Sequence, residues 1–302
     1  RDYYASRGLG DVYKRQDAIL ADAITPVPKE LIEAMPNLKI IHSEGVGYEG
    51  INLAAADEKH IYVCNNRGAN KTAVAEQAVM LMLMVLRHAV TGHNRVLEGR
   101  QIEAKASWSM EGISELGSMH VGIIGMGDIG IETAKLLNAF GCRVSYNKRY
   151  PLSPSQEKEY NVTYMSADNI LKNCDIVSLH IPSNKETFEY MNEERFAMMK
   201  KGSILINTAR GEVVKNEALL EALKSGQIAA AGLDVLAPEP VKEDNIVVKA
   251  MKNDGELAEK IVLAPHIGGL TVQTFDKIYG TIWNNFKKVC AGETPVNIVN
   301  HP

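Results

Sequence analysis

The chain has 302 residues, with 33 Lys and Arg against 37 Asp and Glu and a formal net charge of −4. That length allows two domains, each with its own core, and the missing basic surplus argues against nucleic acid or an anionic membrane surface as a partner. The four cysteines, Cys64, Cys142, Cys174 and Cys290, are widely spaced with no metal-ligand rhythm, so no metal is expected and a reducing, cytoplasmic setting fits.

Residues 1–16 scatter Tyr3, Tyr4 and Tyr13 among glycines and charges without helical or strand period, and they read as a non-native tail. Regular signals begin at Asp17. Ala18-Ile19-Leu20 is a short apolar strand, Pro28 to Ala34 a short helix, and Leu38 to Ile41 a second strand that ends at the glycine-marked loop Gly45-Val46-Gly47-Tyr48. A third strand, Ile61 to Cys64, leads through Asn65–Asn70 into one long helix expected from Thr72 to about Arg95. Within it Ala78 to Leu86 is the longest apolar run, far short of the roughly 20 residues of a membrane span, and it reads as a buried helix. Residues 96–118 are polar and look like a connecting arm. Strand and helix then alternate: strands are expected at His120–Ile124, Cys142–Tyr146, Ile176–Ile181, Ser203–Ile206, Ile228–Val235 and Ile261–Leu263, and helices at Asp128–Phe140 and Val272–Cys290. Such alternation predicts parallel, helix-covered sheets.

The strand His120–Ile124 runs straight into Gly125-Met126-Gly127-Asp128-Ile129-Gly130, and a helix leaves from Asp128. In that context the glycines carry meaning. Gly125 permits a tight turn, Gly127 lets the backbone approach a pyrophosphate, and Gly130 allows close helix packing, so a dinucleotide is expected on the helix N-terminus. Twenty residues past Gly127, where an NAD site places an acid on the ribose, the chain has Asn147 followed by Lys148 and Arg149. With no carboxylate to repel a 2′-phosphate and two cations to bind one, NADP is expected over NAD.

Further stretches follow in order: Val74-Ala75-Glu76, His180-Ile181-Pro182, Asn207-Thr208-Ala209-Arg210-Gly211, Gly232-Leu233-Asp234-Val235 with Glu239-Pro240, and Pro265-His266-Ile267-Gly268-Gly269. With the two glycine loops, they make the chain from Asp17 to about Asn300 resemble the D-isomer-specific 2-hydroxyacid dehydrogenase family, which includes glyoxylate/hydroxypyruvate reductases and phosphoglycerate dehydrogenases. The resemblance implies an enzyme reducing a small 2-oxo acid to the D-2-hydroxy acid. Arg210 would bind the substrate carboxylate and polarise the 2-oxo group, His266 would give that oxygen its proton, and Glu239 would hold the imidazole. Backbone N–H groups at Val46 and Gly47 would take the other end of the carboxylate. Asp234 would accept a hydrogen bond from the nicotinamide carboxamide. Pro182, Thr187, Thr208, Ala209 and Gly268 would line the cofactor.

The fold so implied is a Rossmann-type cofactor domain over 96–271 and a smaller, discontinuous, flavodoxin-like substrate domain from 17–95 and 272–302, with catalysis in the cleft and a homodimer formed through the cofactor domain and its arm. His180 reads as structural. Two departures stand out: the family begins with a further strand, helix and strand, so the substrate domain is expected to be truncated, and Val241 to Lys260 is long and charged enough to alter substrate access. A nucleotide-sensing binding protein of the same fold and an inactive, truncated dehydrogenase are the alternatives; an intact Arg-Glu-His set argues against the first.

Overall fold

A computed structural model describes residues 15–22 and 25–302. Apart from Arg15 and Gln16, the tail expected over 1–16 lies outside the described residues. In chain order the elements are β1 (Ala18–Ala21), α1 (Lys29–Glu33), β2 (Ile40–Ser43), α2 (Leu53–Glu58), β3 (Tyr62–Cys64), α3 (Lys71–Leu86), α4 (Ala89–Leu97), α5 (Gln101–Glu111), β4 (His120–Ile124), α6 (Asp128–Phe140), β5 (Arg143–Asn147), α7 (Pro154–Tyr160) and β6 (Thr163–Tyr164). There follow α8 (Ala167–Asn173), β7 (Ile176–Leu179), α9 (Glu193–Met198), β8 (Ser203–Asn207), α10 (Asn216–Lys224), β9 (Ile228–Leu233), α11 (Ile246–Asn253), α12 (Gly255–Lys260), β10 (Ile261–Leu263) and α13 (Val272–Cys290).

The chain divides into two compact units. One holds the described residues up to Asn70 together with Leu270–Pro302, and the other holds Lys71–Gly269. The division therefore falls before α3, not at 95/96, because α3 packs on α6 and on β9: a Cβ at Gly232 of β9 would stand 3.0 Å from the Leu81 Cβ.

In the first unit, β1, β2 and β3 form a parallel sheet in that order. Its core is Ile32, Ile41, Ala56, Ile61 and Val63 with their neighbours. Helix α2 is started by the Asn52 side chain accepting from the Ala55 N–H, and it supplies the crossover that parallel strands require. Helix α13 packs on β2. Beyond it the chain returns antiparallel beside β3: Val299 donates to the Val63 carbonyl, and Asn300 accepts from the Val63 N–H at 2.7 Å.

The second unit is built on seven parallel strands in the order β10-β9-β8-β7-β4-β5-β6. Alternate residues of the central strands enter different cores. Val121 and Ile123, Ile176, and Ile204 and Ile206 join a cluster with Leu81, Met82 and Leu137 from α3 and α6. Ile124, Val177, Leu179 and Leu205 join the other, with Leu171, Phe196 and Leu219 from α8 to α10. A sheet covered on both faces this way is the doubly wound arrangement, and the order reverses at β4.

One expectation is corrected, and two stretches are found to carry helices. The single helix from Thr72 to Arg95 is two helices, broken at His88, whose φ of 48° lies in the left-handed region, with a bend of 55° between them. The polar arm over 96–118 contains α5, and Trp108 of that helix stacks on His88 with ring centroids 5.1 Å apart. The charged stretch Val241–Lys260 is mostly α11 and α12, anchored by buried Val247 and Leu257 in the core. Among the described residues no single helix is long and apolar enough to cross a membrane.

Candidate active site

Parallel strands point the same way, so whatever follows their C-terminal ends gathers along one edge of the sheet. Along that edge the seven-stranded sheet presents, in spatial order, His266 after β10, Asp234 and Glu239 after β9, Thr208 to Arg210 after β8, Pro182 and Thr187 after β7, Gly125 after β4, and Asn147 to Arg149 after β5. Groups far apart in sequence thus come out on one edge of the sheet.

At one end His266 Nδ1 lies 2.8 Å from Glu239 Oε2. A carboxylate only accepts, so Nδ1 carries the hydrogen and Nε2 is left to exchange a proton with a substrate oxygen. Both side chains are partly open to solvent. The loop bearing His266 is held by one residue: Asp234 accepts the His266 N–H at its backbone carbonyl (2.8 Å) and the Ile267 and Gly268 N–H groups at its carboxylate (3.1 and 2.9 Å). A side chain at Gly268 would place its Cβ 2.8 Å from that carboxylate. The Gln77 amide of α3 adds a fourth bond at 3.0 Å, so the buried Asp234 carboxylate is well satisfied. Its role as hub of the histidine loop went unseen in sequence because its partners lie more than thirty residues away.

Arg210 follows β8 on a corner clamped by Asn207, which accepts the Ala209 N–H and donates to the Arg210 carbonyl. The guanidinium itself makes one short-range bond, from Nη1 to the Ala209 carbonyl at 2.8 Å. Gly211 has no room for a Cβ, which would meet the Ala237 nitrogen at 2.3 Å, so the arginine corner packs directly against the segment that carries Glu239. The Ala237 carbonyl receives amides from both Asn216 and Asn245, fixing that segment in turn. No direct hydrogen bond joins Arg210 to His266 or Glu239.

At the other end Gly125 has φ of 102°, and a Cβ there would meet the His180 carbonyl oxygen at 2.4 Å. Gly130 is pinned against the Gly125 carbonyl in the same way. Gly127 is different: a Cβ there would meet nothing within 4 Å, so the missing side chain leaves open space at the N-terminus of the 13-residue helix α6, beside Asp128 and Ile129. That cradle fits a pyrophosphate on both sterics and dipole. The buried Thr208 hydroxyl has no partner among the described residues, as expected of a group waiting for a polar ligand. The Thr187 hydroxyl donates to the Pro182 carbonyl, closing the loop after β7. Asn147 donates to the Met165 carbonyl at 3.0 Å, and Arg149 is ion-paired with Glu186 of that loop, a partner the sequence reading did not foresee. His180 is structural: its ring nitrogen contacts the Ser178 hydroxyl at 2.8 Å, and burial pushes its pKa down to about 4.

In the first unit the loop Gly45–Tyr48 follows β2. Asn65 donates to the Val46 carbonyl at 2.8 Å and Ser43 to the Gly47 carbonyl at 2.5 Å. A trans peptide points its N–H opposite to its carbonyl, so pinning the Val46 carbonyl aims the Gly47 N–H away from Asn65. Among the described residues the Val46 and Gly47 N–H groups have no acceptor, which suits an anion-binding pair.

Comparison with known proteins agrees with this geometry. Residues 79–268 match the family model described as D-isomer specific 2-hydroxyacid dehydrogenase, NAD binding domain. Over 288 residues the chain is 36% identical to a glyoxylate reductase of Thermofilum pendens, covering 94% of this chain and 81% of that protein. A hydroxypyruvate reductase of Blautia hydrogenotrophica is 34% identical over 278 residues, covering 91% and 83%. Among solved structures, D-lactate dehydrogenase from Aquifex aeolicus complexed with NAD and lactic acid superposes with a TM-score of 0.82 at 29% identity, covering 98% of this chain and 90% of that one.

Proposed function

Since the chain belongs to the D-isomer-specific 2-hydroxyacid dehydrogenase family and is an oxidoreductase interconverting 2-oxo acids and D-2-hydroxy acids with a nicotinamide cofactor, we propose that its substrate is a short 2-oxo acid, that NADP is preferred to NAD, and that Arg210, Glu239 and His266 carry the reaction. The observation that carries the residue assignment is the His266–Glu239 pair at 2.8 Å, presented on the same sheet edge as the Gly127 cradle. Arg210 binds the substrate carboxylate and, with its planar fork, stabilises negative charge growing on the 2-oxo oxygen. His266 delivers a proton from Nε2 to that oxygen in reduction and removes it in oxidation, while Glu239 accepts from Nδ1 and keeps the ring in the productive tautomer. The N–H groups of Val46 and Gly47 are assigned to the substrate carboxylate as well. The bound nicotinamide supplies the hydride. Gly125, Gly127, Asp128, Ile129 and Gly130 hold its pyrophosphate, Thr208, Ala209, Asp234 and Gly268 its nicotinamide end, and Asn147, Lys148, Arg149, Pro182 and Thr187 its adenosine end.

The homologues named for glyoxylate and hydroxypyruvate favour those acids first. The test is reduction of glyoxylate, hydroxypyruvate, pyruvate, phosphohydroxypyruvate and a branched 2-oxo acid, each with NADPH and NADH. Turnover of glyoxylate or hydroxypyruvate with the highest kcat/KM supports the reading, and binding of dinucleotide with no turnover of any acid returns the chain to a nucleotide-binding role. A homodimer is proposed through the second unit, because Val96, Leu97, Ile102 and Met110 of α4 and α5 are strongly exposed apolar side chains and the same unit carries an apolar groove of about 460 Å³ lined by Val79, Leu83, Met84, Leu136 and Phe140.

A further inference from the structure

The dinucleotide crevice of a doubly wound sheet lies where strand order reverses, here at β4, with β5 on one side and β7 on the other. The Arg149–Glu186 ion pair joins the loop after β5 to the loop after β7, so it spans that crevice beside the glycine turn. Neither loop is slack. Asn184 accepts the N–H groups of Glu186 and Thr187 at 2.8 and 3.2 Å, and the Thr187 hydroxyl accepts the Asn184 N–H at 2.9 Å. On the other side the Asn147 carbonyl accepts the Gly125 N–H at 3.0 Å. These bonds hold the Glu186 backbone, and from there its exposed carboxylate reaches the cation that would otherwise meet a 2′-phosphate. Lys148, partly buried, has no ion-pair partner among the described residues and is the cation left over.

We propose that Glu186 is a specificity-determining residue for the cofactor: it competes with a 2′-phosphate for Arg149 and repels that phosphate directly, so it holds down the preference for the phosphorylated dinucleotide that Lys148 and Arg149 create. The proposal rests on the reading that the adenosine end lies over β4 and β5. Unphosphorylated dinucleotide carries nothing that needs Arg149, so Glu186 weighs only on one of the two cofactors. A competing exposed ion pair has a modest free energy, and like-charge repulsion adds to it, which sets the expected effect at roughly three- to tenfold in binding.

The test is equilibrium binding of NADPH and NADH, followed by the fluorescence of the bound nicotinamide, to the full chain and to Glu186→Gln, Arg149→Ala and the double variant. Glu186→Gln should tighten NADPH by roughly three- to tenfold while NADH changes by less than about twofold, and the gain should shrink at high salt. Arg149→Ala should weaken NADPH, and adding Glu186→Gln to it should recover only the part due to direct repulsion. Equal shifts for both dinucleotides, or none, would overturn the role of Glu186 while leaving the cofactor site in place. If the unaltered chain binds neither dinucleotide, the placement of the adenosine end fails and this proposal with it. Thermal melts of each variant separate lost binding from lost folding.

Discussion

Replacing the Arg210 guanidinium separates charge from shape. Arg210→Lys keeps the charge and loses the planar fork, so kcat/KM should fall at least about tenfold, and Arg210→Ala should cost on the order of 3 kcal/mol in transition-state binding. Steady-state rates with a fixed cofactor check this; unchanged kinetics in the alanine variant would remove Arg210 from the mechanism. A different signature is expected of Asn65, which touches no reacting atom but pins the Val46 carbonyl. Asn65→Ala should raise KM for the 2-oxo acid roughly tenfold with a smaller change in kcat and no change in the dissociation constant of the dinucleotide, and an equal loss in all three would mean that the loop only supports the fold. His180 gives a stability prediction. Its ring is held neutral by burial, with a pKa near 4 against an unfolded value near 6.5, so folding excludes a proton that the unfolded chain takes up. Stability from this source is fully present above about pH 6.5 and is lost as pH falls towards 4, by at most about 3 kcal/mol. Denaturant melts of His180→Gln should show a flatter dependence over that window than the unaltered chain.

At the scale of elements, one buried asparagine joins α13 to the sheet of the first unit. Asn285 donates to His42 Nε2 and to the Val296 carbonyl, and accepts the Val296 N–H, while His42 Nδ1 donates to the Ser43 carbonyl. Both residues are fully buried, and burial pushes the His42 pKa down, consistent with a neutral ring that donates on one side and accepts on the other. Asn285→Ala leaves several buried groups unpaired and should cost about 2 to 4 kcal/mol, with hydrogen exchange rising first along 296–301. If exchange there stays as slow as in the unaltered chain, the return of the chain beside β3 does not depend on Asn285. The elements that sequence located best are those with a strong period or a glycine boundary: β4, α6, β10 and α13 match their expected bounds residue for residue. Errors fell where a local pattern continued through a tertiary decision. Apolar and helix-forming residues run on from α3 into α4, yet the chain turns at His88, whose ring stacks on Trp108, twenty residues on.

For the molecule as a whole, the proposed dimer rests on the exposed apolar side chains of α4 and α5. Sedimentation should give a dimer mass, and Leu97→Glu with Ile102→Glu should give a folded monomer; a monomer in the unaltered chain would discard the dimer proposal. The ordered motifs by themselves determined the family and pointed to the dinucleotide turn and the Arg-Glu-His set, because each needs a particular residue type within a few positions of a strand end, and such requirements are written locally. Tertiary structure alone decided which residues hold those groups in place. Asp234 gathers three successive N–H groups of the histidine loop, Gln77 reaches Asp234 across 157 positions, and Glu186 meets Arg149 across 37. Their partners are set by the order of the strands and by which helix covers them, and both are properties of the packed sheet that no stretch of sequence carries on its own.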